Sequence, residues 1–407
     1  MLYIKLAWRN LWRNRRRTLI TMVSIVVAVL LAAVMRSMQE GQYEVMIDTT
    51  VGSFTGYIQI HQQGYWEDKT LDNTLVESDS LYAKIQQQSS VEEAVPRLES
   101  FALAAGKNLS RPAMVMGIHP QAEQALSDPK NRLQSGSYLD TSDEHSVLIG
   151  REMIQRLNVQ VGDSLVLIGQ GFRGQRATGL YEIKGTVSFP NPELNRSIVM
   201  MPIQTAQEFL AAPNRLTSIS LILNNPDNVN KTAKDLRNSL SPDRYEVMTW
   251  QELAPELVQS IQADRGSGII IIMILYIIVG FGILGTVLMM ITERSYEFGV
   301  MISVGTPRLT IAAMLAMEIL LIAFMGSGIG LLLSIPVAWY FNINPIEFSG
   351  NMAEVMESYG LEPFLPFSLS PEVFYGQAII IFIITLVFSI IPIVKASKLN
   401  PVNAMRA

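Results

Sequence analysis

The chain has 407 residues, 49% of them hydrophobic and only 16% charged, with a formal net charge of −5 and no cysteine. Soluble domains carry about 25% charged residues, so this composition excludes a disordered chain and disfavours a wholly water-soluble enzyme. The missing cysteines remove disulfides, thiolate metal sites and thiol nucleophiles, and the acidic balance argues against a nucleic-acid partner.

Residues 1–17 hold six basic side chains (Lys5, Arg9, Arg13, Arg15, Arg16 and Arg17), with Trp8 and Trp12 four apart. This reads as an amphipathic helix at the membrane surface, with Trp8, Trp12, Arg15, Arg16 and Arg17 as contacts to lipid at the interface. Crossing a bilayer takes about 20 apolar residues, and four runs suffice: 18–35, 268–291, 311–341 and 375–394. The first could be a cleaved signal peptide, but its long basic leader favours a retained anchor. The second has no charged residue in 24 positions, and the third is interrupted only by Glu318.

Residues 36–267 lie between the first two spans and are polar enough to fold in water. Strand-like runs begin at Tyr57, Ala113, Ser146, Ser164, Tyr181, Ser197, Ser218 and Tyr245. Helical runs begin at Ser80, Arg151, Ile203, Pro226 and Gln251. This region is expected to be an α+β domain. Residues 36–47 and 251–265 join it to the spans without a Pro-Gly-rich linker and read as continuous helical stalks. The expected fold is therefore a membrane α-helical protein of four transmembrane helices, with a large α+β extracytoplasmic domain inserted between helices 1 and 2.

Basic flanks are retained on the cytoplasmic side. Residues 1–17 carry six bases and the tail 395–407 carries Lys395, Lys398 and Arg406. The 342–374 loop has five acids and no base, and residues 36–267 hold 20 basic and 28 acidic residues. Both termini and the 292–310 loop are thus expected inside, with the 36–267 domain and the 342–374 loop outside.

The inventory for catalysis is nearly empty. There are three histidines (His61, His119 and His145) and no His-Glu-x-x-His pattern. Gly169-Gln-Gly171-Phe-Arg-Gly174 fits G-x-G-x-x-G, but it leads toward a strand-like sequence rather than a helix, which favours a hairpin loop over a dinucleotide site. A P-loop would need Lys-Ser/Thr where Gln175-Arg176 stand. No catalytic residue, metal ligand or bound cofactor is expected. Glu318 is either a functional intramembrane carboxylate or a residue near the inner interface that meets water or a basic partner. In the same span Gly326, Gly330 and Ser334 form a small-x-x-x-small ridge. Either core packing or a subunit interface accounts for it, the interface being the sharper reading.

Three motifs resemble the FtsX/MacB-like permease superfamily of ABC transporters. They are the N-terminal Ala7-Trp-Arg-Asn-Leu-Trp-Arg-Asn-Arg-Arg-Arg-Thr18, the inner loop Glu293-Arg-Ser-Tyr-Glu297-Phe-Gly299-Val-Met-Ile-Ser-Val-Gly305-Thr-Pro-Arg308, and the tail from Ala396 through Pro401 to Arg406. Val147-Leu-Ile-Gly150-Arg and the Thr249-Trp250 step are similar to the family's periplasmic module. The inner loop departs from the pattern at Ile302, where many relatives carry a basic residue. The resemblance implies a multi-pass permease of a bacterial inner membrane, closest to the lipoprotein-releasing branch. It would pair with a second permease, as homo- or heterodimer, and with separate ABC ATPase subunits that hold ATP and Mg. A periplasmic carrier or adaptor would be a further partner. Glu293, Arg294, Glu297, Phe298, Gly299 and Gly305 would form the ATPase-coupling loop. Export of peptides or drugs in the MacB manner, and a membrane-anchored sensor or scaffold, remain as alternatives.

Overall fold

The computed structural model describes residues 2–13, 15–358 and 363–398. The chain divides into two compact units, residues 1–45, 260–347 and 364–407 in one, and 46–259 with 348–363 in the other.

The first unit is helical. An N-terminal helix, Leu2–Arg13, is followed by Arg15–Ile47, Pro255–Glu293, Ser295–Ser303, Arg308–Ile343 and Pro371–Ser397. Among the described residues, four helices are long and apolar enough to cross a membrane: Thr18–Gly52, Pro255–Glu293, Arg308–Ile343 and Pro371–Ser397. They are called spans one to four below. Each runs past the apolar stretch that marks it in the sequence, because polar residues flanking an apolar run continue a helix without a breaker. The two stalks differ. Residues 36–47 continue span one without interruption, but 251–265 is not one helix. Trp250–Leu253 is a separate turn, opened by a Thr249/Glu252 capping box, and the long helix starts afresh at Pro255. Proline cannot donate to the preceding turn and is favoured at a helix start.

Lipid is as apolar as leucine, so close van der Waals packing and polar contacts hold the spans rather than the hydrophobic effect. Ile25, Val29, Ile283, Val287, Ile291, Ile311, Leu315, Ile322 and Ile381 form the buried centre. A Cβ at Gly326 would lie 2.9 Å from the Cβ of Ile25, and one at Gly330 2.7 Å from that of Val29. Spans one and three therefore approach at these glycines.

The second unit is built on a ten-stranded mixed sheet. In chain order the strands are β1 (Ile58–Gln62), β2 (Leu75–Val76), β3 (Val91–Ala105), β4 (Ser110–Ile118), β5 (Leu133–Gly136), β6 (Ser146–Gly150), β7 (Ser164–Gln170), β8 (Arg176–Val187), β9 (Ile198–Pro202), β10 (Arg215–Leu216), β11 (Ser218–Leu223) and β12 (Tyr245–Thr249). The large sheet runs β12-β1-β11-β3-β4-β9-β6-β8-β5, with β7 bridging β3 and β8, while β2 and β10 pair separately. β4 and β9, and β6 and β8, are parallel; the other pairings are antiparallel. Helices Asp79–Gln86, Ile203–Phe209 and Val229–Ser239 bury Leu81, Ile85, Ala206, Phe209, Ala233 and Leu236 in the main core. All eight strand-like runs of the sequence lie in the sheet, so this unit is an α+β domain.

Candidate functional site

The loop between spans two and three is a built element. Span two ends at Glu293, Arg294 turns the corner, and the short helix Ser295–Ser303 follows. Gly305 closes that helix in a left-handed conformation, φ +101°. The Gly305 amide donates to the Ile302 carbonyl at 3.0 Å and that of Thr306 to Met301 at 2.9 Å, the paired bonds of a Schellman stop. Pro307 then precedes span three.

One polar cluster ties this corner to two other helices. Arg294 is 5% exposed and Glu318 is 2% exposed. Arg294 Nη1 donates to Glu318 Oε2 at 2.5 Å, and Asn10 Nδ2 donates to Glu318 Oε1 at 2.6 Å. On the outer side Arg13 Nη2 donates to Glu297 Oε2 at 2.7 Å, and Arg294 Nε lies 3.5 Å from the same oxygen. The Arg294 guanidinium also sits 5.0 Å from the centre of the Phe298 ring. The N-terminal helix, the corner that opens the short helix and span three thus meet at the Glu318 carboxylate. Leaving one charge of a buried pair without its partner costs about 3–5 kcal/mol, so the corner is held in one arrangement. The more exposed Arg13–Glu297 pair adds about 0–1 kcal/mol.

The expected coupling residues divide between two faces. Phe298 and Gly299 are buried against the spans, and Ile302 is half-buried on the same core. Glu293 and Glu297 are exposed. The most exposed apolar residues of the outward surface are Tyr296 and Val304, 60% and 82% exposed, with Leu309 beyond the stop. Sequence reasoning missed these three. It also missed the counter-ion of Glu318, although a carboxylate in a span demands one and the adjoining loop holds only two bases, Arg294 and Arg308. In the structure Glu318 meets a basic side chain, Arg294.

In the N-terminal helix Ala7 and Leu11 are buried, while Trp8 and Trp12 are exposed, edge to face at 6.1 Å. Arg15 and Arg16 are exposed; the side chain of Arg17 lies outside what the structure describes. The Gly326–Gly330 face is filled by Ile25 and Val29, and Ser334 is buried. Gly326 and Gly330 are thus taken up by packing against span one of the same chain. The tail motif from Leu399 to Arg406 lies outside the described residues.

At the other end of the spans the two stalk segments are paired. Tyr43 Oη donates to Asp264 at 2.6 Å, and Arg265 donates to Glu40 at 2.7 Å while Arg36 lies 3.1 Å from it. In the second unit, Gly169 to Gly174 forms the β7–β8 hairpin, with Gln170 opposite Arg176. A Cβ at Gly171 would lie 2.5 Å from the Leu210 carbonyl, so that glycine accommodates backbone rather than a phosphate. Beside the hairpin a recess of about 390 Å³ is lined by Lys69, Glu99, Phe101 and Gln170 among others.

The MacB-like periplasmic core domain family matches residues 18–239, more than half of the chain, and the FtsX-like permease C-terminal family matches residues 269–401. The chain belongs to the FtsX/MacB-like permease family. Among its relatives, the lipoprotein-releasing system transmembrane protein LolC of Xylella fastidiosa is 24% identical over 332 residues, 77% of each chain. LolE of the same type of system in Haemophilus influenzae is 21% identical over 80% of each chain. The macrolide export ATP-binding/permease protein MacB of Neisseria gonorrhoeae is 22% identical over 79% of this chain and 48% of its own length. As a family member the protein is an ABC transporter permease, a multi-pass membrane protein with a periplasmic domain, of a class that works with an ATPase partner and a paired permease.

Proposed function

We propose that this FtsX/MacB-like permease is the transmembrane subunit of a lipoprotein-releasing transporter in a bacterial inner membrane. Separate ATPase subunits bind and hydrolyse ATP with Mg on the cytoplasmic side, where both termini lie. The observation that carries this reading is the short helix Ser295–Ser303, buried on one face and fastened to span three and the N-terminal helix through Glu318 and Glu297. Its opposite face offers Tyr296 and Val304 to a partner. A helix held in this way moves only with the spans, which is what transmission from a docked ATPase requires. Gly299 acts by letting the helix seat against the spans, not by touching the ATPase. Motion then passes along span one and span two to the paired stalk segments at Tyr43–Asp264 and Glu40–Arg265, so the cargo is lifted from the outer leaflet without crossing the bilayer. The LolC and LolE matches span most of both chains, whereas the MacB match covers under half of MacB, which favours lipoprotein release over drug export.

The test is reconstitution of the protein with its ATPase and paired permease in proteoliposomes loaded with a triacylated protein. ATP-dependent appearance of that protein on a soluble periplasmic carrier supports the reading. ATP-dependent export of a macrolide with no such release would replace it.

A further inference from the structure

The helix that leaves span one ends in an unusual way. Its last turns, Asp48–Thr55, are π-helical, a rare local widening that is frequent at functional sites. Gly56 then turns the chain at φ +75°, its amide donating to the Val51 carbonyl at 2.8 Å. A helix terminus leaves its last carbonyls unbonded and partly negative. Here two side chains of the sheet take them. Arg97 on β3 donates through Nη1 to the Phe54 carbonyl at 2.5 Å, and Gln59 on β1 donates through Nε2 to that of Thr55 at 2.7 Å. The Arg97 guanidinium also lies 4.9 Å from the centre of the Phe54 ring.

Arg97 and Glu123 are both fully buried, with Arg97 Nη2 2.5 Å and Nε 3.0 Å from the two Glu123 oxygens. Ser127 Oγ donates to the same carboxylate. A buried ion pair is weak evidence of stabilisation, since apolar residues of similar volume often serve as well. What apolar residues could not supply is a donor for the Phe54 carbonyl. Glu123 uses two edges of the planar fork and leaves a third for the helix end, geometry a lysine does not reproduce.

We infer that Arg97, oriented by Glu123, is a positioning residue that fastens the end of the span-one helix to the centre of the periplasmic sheet, so that movement of that helix is delivered to β3. This rests on the reading of the protein as an ATP-driven permease, and the experiment separates the two. The full-length protein is placed in nanodiscs with its ATPase and paired permease, as wild type and as the double variant R97M/E123M, which removes both buried charges together so that neither is left without the other. Without nucleotide, amide exchange over residues 51–57 is expected to rise at least tenfold in the double variant, with β4 and β9 unchanged; unchanged exchange at 51–57 would overturn the fastening. With ATP and vanadate, the wild type is expected to show altered exchange in Val91–Ala105. In the double variant that difference should vanish while the ATPase rate stays within twofold. A retained difference would overturn the role of Arg97 in transmission. R97K, with charge but no fork, should fall between the two. A wild-type complex with no nucleotide response and no ATPase activity would fail the permease reading, and the nucleotide-free exchange would still decide the fastening.

Discussion

Arg294 and Glu318 are 24 positions apart in the chain, yet the guanidinium of one donates to the carboxylate of the other across 2.5 Å in a site nearly closed to solvent. The pair fixes the start of the short helix Ser295–Ser303 to span three, and Asn10 closes the remaining oxygen of Glu318. Because both charges are buried, removing one costs more than removing both.

Glu318→Ala takes the close partner from the buried Arg294, leaving it only Glu297 at 3.5 Å, and should cost about 3–5 kcal/mol. The double variant R294M/E318M should recover most of that loss. Thermal unfolding of the purified protein in detergent checks this. Additive losses, with the double variant worse than either single one, would mean the two charges are not coupled.

Replacing Gly330 by leucine drives a side chain into Val29, where even a Cβ would approach within 2.7 Å. The expected cost is about 1–3 kcal/mol from overpacking. Gly285 has nothing within 4 Å of its Cβ position, so Gly285→Leu should leave the midpoint unchanged. Equal effects at both positions would contradict the packing of span one on span three.

His61 of β1 is buried, stacked at 5.2 Å on Tyr65, and its Nδ1 donates to the Thr217 carbonyl at 2.8 Å. Burial, with the nearby Lys69 charge, lowers its pKa to about 4 against the hydrogen bond to Thr217. The unfolded chain therefore takes up a proton at higher pH than the folded one. Above pH 6.5 this contribution to stability is constant; it declines as pH falls from 6.5 to 4, by on the order of 3 kcal/mol. Unfolding midpoints across that range should slope less steeply in His61→Phe than in the wild type. Identical slopes would show that His61 is not the group responsible.

The four spans and most of the sheet are legible in the sequence because their patterns are locally strong. Ser218–Leu223 and Tyr245–Thr249 have the bounds that their apolar runs suggest. The longest strand, Val91–Ala105, is not legible. It contains Pro96, which lacks a ladder donor, and a run of alanines with weak strand preference. The structure accommodates it by changing partners along its length. Residues 91–97 pair with β11, and pairing with β4 begins only at Arg97, so Pro96 is hydrogen-bonded on one side alone. The helices Pro120–Leu126 and Pro192–Ser197 are too short to show a period. The site was half legible. The 293–308 motif marks the loop between spans two and three, but which of its residues face outward depends on how the helix seats on the spans. The partner of Glu318 lies 24 residues away, a relation that no local pattern encodes.

The pairing of the stalk segments gives a charge-reversal test. Glu40→Arg places a third cation beside Arg36 and Arg265 and should lower the yield of ATP-dependent release severalfold. The exchanged pair E40R/R265E should recover it in part. No recovery alongside an unaltered unfolding midpoint would argue that this contact plays no part in transmission.

The central claim is that an ATPase docks on the outward face of the helix Ser295–Ser303. The direct measurement is site-specific photocross-linking in membranes that contain the partner ATPase, with benzoylphenylalanine placed in turn at Tyr296, Val304 and Phe298. An adduct between permease and ATPase is expected from Tyr296 and Val304, and none from the buried Phe298. Adducts to lipid or to a second permease from the first two positions, with none to the ATPase, would contradict that docking.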